Sequence, residues 1–347
     1  MTGETELSGV WAPLLLADRS PILRSLVLRD LLDRDDDDHE AAELEAFKRQ
    51  DPLAAELFEQ QKDDGSWPSP SRGGSLQVTA SSILRLGYLG FGPEETAVQK
   101  GAEFLFSRQD DDGSWPLNNY DPQSERYSNY SMIPLQTSMP LRALASCDYG
   151  TDPRSEKAYE WLLGQRLNDG AWPSGRAAGN YAGVAGYRRI PHSRWGCRTN
   201  TTAALICLAM HPARKNSPEA KRALDLLLGR ESFERGSLGF ETARIIGVEP
   251  ARGLFTYFAR FDAALMLDLS WRVGASIDDR RIAKIVQFAE SARGSLGIWT
   301  YQSKPQASRW ISFDLLRSLR NIDSESDWIS LEPATPFSPY PARKRRF

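Results

Sequence analysis

The chain has 347 residues, 41% hydrophobic and 26% charged, a balance typical of soluble globular proteins and a length fit for two ordinary domains or one built from repeats. A net charge of −3 argues against general nucleic-acid binding, which needs a basic surface. No apolar run approaches the ~18 residues of a membrane span, Met1–Val10 lacks a signal-peptide core, and three cysteines in apolar helical contexts (Cys147, Cys197, Cys207) favour a reducing, cytoplasmic setting over a disulfide scaffold.

In chain order, Ser20-Pro21 reads as a cap and first helical position, and Ile22, Leu23, Leu26, Val27, Leu31 and Leu32 follow helical spacing. An acidic break over Asp33–Asp38 precedes a helix from Glu40 to about Gln50, which steps at Asp51-Pro52 and continues to Gln61. There the chain reads Gln61-Lys62-Asp63-Asp64-Gly65-Ser66-Trp67-Pro68. The same turn returns as Gln109-Asp110-Asp111-Asp112-Gly113-Ser114-Trp115-Pro116 and as Gln165-Arg166-Leu167-Asn168-Asp169-Gly170-Ala171-Trp172-Pro173, with weaker echoes at Arg235–Phe240 and Arg293–Trp299. Self-similarity at this period marks a repeat architecture.

A mostly apolar helix follows each turn: Leu76–Leu89, Met132–Ala145, Thr199–Met210, Tyr257–Val273 and Trp310–Leu319. More charged, one-sided helices alternate with them: Glu94–Arg108, Ser155–Gln165, Pro218–Leu228 and Asp279–Ala292. Helices apolar all round are buried and one-sided helices lie outside. About six such pairs close into an all-α (α/α)6 toroid over residues 1–325, followed by a Pro-rich tail, 326–347, with the basic run Arg343-Lys344-Arg345-Arg346. Long insertions, Leu117–Ser131, Ser174–Gly196 and Glu241–Thr256, all fall before inner helices, so one rim carries the loops where function is expected.

The Gln-x-x-x-Gly-x-Trp turns resemble the QW motifs of the terpenoid cyclase and protein prenyltransferase superfamily, over about residues 11 to 322; the third copy has one extra residue between Gln165 and Gly170. Pro21–Leu32 and Arg309–Arg317 look like the first and last inner helices of bacterial prenyltransferase-like or squalene-cyclase-like proteins. The resemblance implies a toroid acting on an isoprenoid-type apolar substrate, by cyclisation or prenyl transfer, in a cavity opening where the inner helices begin. Two alternatives stand beside it: a binding toroid that lost the chemistry, and a carbohydrate-active α/α toroid.

Asp33-Arg34-Asp35-Asp36 matches the Asp-x-Asp-Asp proton donor of class II terpene cyclases in letters, but it falls at the opposite rim and reads as a solvated helix-start cluster. Zinc is disfavoured, because no Asp-x-Cys pair occurs and His39 and His211 fall at that same opposite rim. Asp63–Asp64 and Asp110–Asp112 are turn residues rather than a magnesium box; Mg2+ enters only if the substrate is a diphosphate. The candidates cluster at the starts of the inner helices. Asp262 and Asp314 are potential acids, together with the loop residue His192. Tyr127, Gln136, Trp195, Arg198, Asn200, Tyr257, Arg260, Lys304, Arg309 and Trp310 are candidate substrate contacts, the cationic ones suited to a diphosphate or carboxylate. A sugar-cleaving site would need facing carboxylates, for which Asp262 and Asp314 are the available pair. The expected partner is a small apolar molecule, with no nucleic acid, no transmembrane segment and a peripheral membrane contact as a further option.

Overall fold

A computed structural model of the chain describes residues 4–34, 38–69, 74–115, 133–174, 190, 193–229, 238–249, 261–302 and 304–331. Among them there is no β-strand, only two isolated bridges. The inner helices are α2 (Pro21–Leu32), α5 (Ser75–Tyr88), α7 (Pro134–Ser146), α9 (Arg198–Met210), α12 (Ala263–Val273) and α14 (Ser308–Asn321). The outer ones are α1 (Glu4–Leu16), the pair α3 (His39–Phe47) and α4 (Pro52–Gln60), α6 (Thr96–Phe106), α8 (Pro153–Gly164), α10 (Pro218–Leu228) and α13 (Arg280–Ser291). Around the ring α5 packs on α7, α7 on α9, α9 on α12, α12 on α14 and α14 on α2; the α3–α4 pair links α2 to α5. The result is the expected α/α toroid.

The helix starts follow their capping chemistry. Ser20, Asp51, Asp152 and Ser217 each accept a backbone N–H at the first turn of a helix that opens with proline. Ser20 also donates to the buried Asp51 carboxylate, joining the starts of α2 and α4. Most helix ends fall within two residues of the sequence reading, and two places differ more. Asp262 caps α12, so that helix begins at Ala263 rather than at Tyr257. The stretch after Gly239, read as loop, contains a further helix, α11 (Phe240–Ile245). Left-handed glycines, Gly239 at φ +86° and Gly247 at φ +78°, turn the chain at its two ends.

The repeated turns staple the ring in one way. In each, the Trp indole donates to the outer helix before it: Trp67 to Leu57 O, Trp115 to Leu105 O, Trp172 to Leu162 O and Trp299 to Ala289 O, all within 2.7–2.8 Å. The same four Trp backbone N–H groups donate to a hydroxyl on the next inner helix, Thr79, Thr137, Thr201 and Ser312. Gln61 and Gln109 add bonds from Nε2 to their own turn and to the following outer helix, at Ala97 O and Arg154 O. In the last copy Arg293 Nε replaces the glutamine on Gly297 O. The fourth copy has Glu241 where the others have Trp, two residues after the left-handed Gly239. There the Asp262 carboxylate accepts from Gly239 N and Glu241 N, and the chain runs on into α11.

After α14 the chain returns over the outer surface. Trp328 Nε1 donates to Asp279, while Ser330 Oγ and Leu331 N donate to Asp225, so residues 326–331 lie against α10 and α13.

Candidate functional site

The position of α11 defines the site. In the order α2, α5, α7, α9, α12, α14, the pairs α7/α14 and α5/α12 are each three places apart, on opposite sides of the ring. α11 packs on both α5 and α14. Its Glu241 pairs with Arg142 of α7, and its first amides reach Asp262 at the start of α12. An element touching both members of two opposite pairs lies in the lumen.

Around it is a buried ionic cluster. Glu241, 5% exposed, accepts from Arg142 and, at 3.0 Å, from Arg244. Burial opposes ionisation of Glu241, yet the Arg244 and Arg142 guanidiniums hold its carboxyl below the usual range. Burial in turn pulls Arg244 down to about 10. Thr242 Oγ1 donates to Asp314 Oδ2 at 2.6 Å, Tyr88 Oη donates to the same oxygen at 2.9 Å, and Arg317 Nη2 donates to Oδ1 at 2.9 Å. Asp314 sits halfway along α14, 9% exposed, and burial raises its pKa despite Arg317. Arg317 also reaches Asp30 of α2 and Asp268 of α12, at 3.4 and 3.8 Å. Burial works against the charge on Asp268, but Arg272 and Arg317 keep its carboxyl below the usual range. Asp262 is different. Burial pushes it up to about 6, although three backbone N–H groups, of Gly239, Glu241 and Ala264, favour its anion.

The sequence candidates thus separate. Asp314 and Asp262 both hold α11, at successive parts of that helix. Lys304 donates to Val248 O, just beyond α11, and lies 3.7 Å from Glu249. Trp310 is buried with its ring 5.9 Å from that of Tyr88. Arg198 is buried with its guanidinium 5.2 Å from the Phe261 ring centre. Gln136 caps its own helix through Ile133 N, and Asn200 accepts from Leu135 N, tying α9 to the start of α7. Arg309 pairs with Asp18 at 2.8 Å across the α14–α2 seam. Trp195 is 41% exposed beside Arg194. Tyr127, His192, Tyr257 and Arg260 lie outside the described residues. Among the described residues no three His, Cys, Asp or Glu side chains converge as metal ligands.

Sequence reasoning passed over Tyr88, Arg142, Glu241, Thr242, Arg244, Asp268 and Arg317. Two carried a legible signal: Arg142 in Leu141-Arg142-Ala143-Leu144 and Asp268 in Leu267-Asp268-Leu269 are charges on otherwise apolar helices. Burial of such groups requires partners. The partner of Arg142, Glu241, comes from a stretch read as loop, whereas those of Asp268, Arg272 and Arg317, lie on inner helices.

Residues 40–189 match the family model of the squalene-hopene cyclase C-terminal domain. No curated protein matches the chain. Among solved structures, a type II terpene cyclase from Scytonema, in complex with its substrate geranylgeranyl dihydroxybenzoate, is 18% identical over 77% of this chain and 70% of that one, with a TM-score of 0.45. A protein from Actinoplanes is 14% identical over 80% of this chain and 99% of that one, TM-score 0.32. A glycosidase in complex with glucose is 13% identical over 82% and 98%, TM-score 0.33. The family match and the stapled ring are consistent with the terpenoid cyclase superfamily, and the fold is terpene cyclase-like.

Proposed function

We propose that this protein acts on an isoprenoid-type apolar substrate inside its ring, by proton-initiated cyclisation or a related carbocation step, with Asp314 as the acid. One observation carries this reading: a carboxyl halfway down an inner helix, in the lumen, whose pKa burial raises. Protonating an alkene needs an acid that keeps its proton at working pH yet leaves a stabilised anion. Burial supports the first requirement. Tyr88, Thr242 and Arg317, all donating to the carboxylate, support the second. The faces of Tyr88 and Trp310 beside it suit a developing cation. The complex of the Scytonema cyclase with a prenylated substrate is in keeping with this class of ligand.

The test is incubation of the purified protein with prenyl diphosphates and squalene-like polyenes, with and without Mg2+, read by mass spectrometry. We expect a cyclised or transferred product, and at least a ~100-fold loss of turnover in Asp314→Asn, the scale of a lost general acid. Unchanged turnover in that variant overturns the role of Asp314. A second reading, a binding toroid without catalysis, is favoured by the occupied lumen; retained ligand with no product would select it. We also place the protein in the cytoplasm, touching membranes peripherally to collect its substrate. Support comes from Ile329 and Leu331, 78% and 75% exposed, close in sequence to the basic run 343–346. Co-sedimentation with anionic vesicles, lost on Ile329→Ser/Leu331→Ser, checks this.

A further inference from the structure

Solvent reaches the ring interior from one end. At the loop-bearing rim the first turns are closed: residues 135–138 of α7, 198–202 of α9, and Ala263 and Ala264 of α12 are buried, as are Glu241, Thr242, Ala243, Ile245 and Ile246 in and after α11. At the other rim, where the inner helices end, exposure rises turn by turn along α14. The side chain of Asp314 is 12% exposed, that of Arg317 16% and that of Arg320 41%. On α12, Asp268 is 24% exposed. α12 is covered outside by α10 and α13, and Asp268 lies 3.8 Å from Arg317 of α14, so its exposed part faces the lumen. The opening is local to this side, because α9 stays buried over 198–209.

We infer that Asp314 recovers its proton from water entering at this second rim, with Asp268 as the positioning residue that holds that water. This rests on the role of Asp314 as acid and adds the direction from which the acid is recharged.

Proton balance requires such a path. When Asp314 protonates an alkene, its O–H bond breaks, a C–H bond forms and a carboxylate remains. The carbocation later loses a C–H proton to water. One proton per turnover must therefore return to Asp314 from solvent.

The two oxygens of Asp314 face different groups. Oδ2 accepts from Thr242 and Tyr88, whereas Oδ1 meets Arg317 Nη2 at 2.9 Å. The same Nη2 lies 3.8 Å from Asp268 Oδ1, too far for a direct hydrogen bond. Asp268 Oδ2 accepts from Arg272 at 2.9 Å, but Oδ1 is buried with no donor, and Arg317 Nε is buried with no acceptor. Leaving such atoms unbonded is costly. Together they offer water one acceptor and one donor, the two polar partners that a buried water needs. That water stands beside the guanidinium that holds Asp314 Oδ1. Arg317 keeps its own protons, so the proton passes through water and not through the side chain.

Two experiments on the full chain test this. The first labels introduced cysteines with a charged thiol reagent, the buried Cys147, Cys197 and Cys207 serving as the blank. Asp268→Cys should react, and Ala264→Cys, one turn nearer the loop-bearing rim, should not. The second compares first and later turnovers in the prenyl-substrate assay above. Asp268→Asn should raise the ratio of first to later turnover rate by about 100-fold, the low end of what a positioned proton-transfer group contributes. Asp268→Glu should restore much of the loss. Arg272→Met, which keeps both carboxylates, should show the same kind of split and keeps the inference testable if Asp268→Asn fails to fold. Labelling at position 264 but not at 268 overturns the inference, and so does equal slowing of first and later turnovers. Asp268→Asn as fast as wild type, with Asp314→Asn inactive, overturns it and leaves the isoprenoid reading in place. Unchanged turnover in Asp314→Asn, or no turnover of any substrate by the wild type, overturns both.

Discussion

Asp262 carries its charge against its surroundings. Its folded pKa of about 6 lies above the ordinary 3.8, so the stability linked to its proton is present below about pH 4 and is lost as pH rises through about 6. Asp262→Asn keeps an acceptor for the turn amides and removes that dependence. The stability difference between variant and wild type should shift toward the variant by about 1 kcal/mol between pH 5 and 7.5, measured by denaturant titration at both values. Glu241 and Asp268, held below the usual range, act in the opposite sense: their contribution is lost as pH falls through their folded pKa values. Tyr88→Phe leaves Asp314 one donor short and should cost about 1 kcal/mol. It should also raise the pH at which any Asp314-dependent turnover falls off, since one group favouring the anion is gone. At this scale the sequence was partly legible. The type of residue was visible at Asp262, Asp314, Arg142 and Asp268, because charges on apolar helices are conspicuous. The partners of Arg142 and Asp262 were not, because they lie on a segment reaching across the ring.

The unit of the fold is the stapled turn, and its chemistry explains why the sequence displayed it so plainly. Glycine is required at the turn: Gly113 has φ +91°, and a Cβ there would lie 2.5 Å from Lys157 O. Gly113→Ala should therefore destabilise by more than the 1–2 kcal/mol of a left-handed alanine (about that scale for backbone alone), read as a drop in denaturation midpoint. Trp115→Phe keeps most of the apolar volume and loses the bond to Leu105 O, costing about 1 kcal/mol, whereas Trp115→Ala should cost about 3–5 kcal/mol. The receiving hydroxyls on the inner helices, Thr79, Thr137, Thr201 and Ser312, could have been read as part of the motif; the variable spacing from each Trp conceals them. α11 was hidden for another reason. Six residues give too little periodicity to stand out from a loop.

The ring as a whole closes at one seam. Arg317 spans from Asp314 and Asp268 to Asp30, and Arg309 and Arg320 reach Asp18 and Asp33. Arg317→Met leaves buried carboxylates uncompensated on two inner helices, and should lower stability by about 3 kcal/mol with little change in helix content at low temperature, by circular dichroism. That seam also orders events in time. Most other inner-helix contacts join near neighbours in the chain, but Arg317 and Asp30 are 287 residues apart and Arg309 and Asp18 are 291. Closing a loop of that length costs about 1.4 kcal/mol more than closing one of ~60 residues. An arc of helix pairs can therefore assemble from local contacts first, with closure of the circle as its last step. Contacts absent from the transition state govern unfolding rather than folding rates. Arg309→Ala should speed unfolding and leave the refolding rate nearly unchanged, so the lifetime of the closed ring is set at the place where its first and last helices meet.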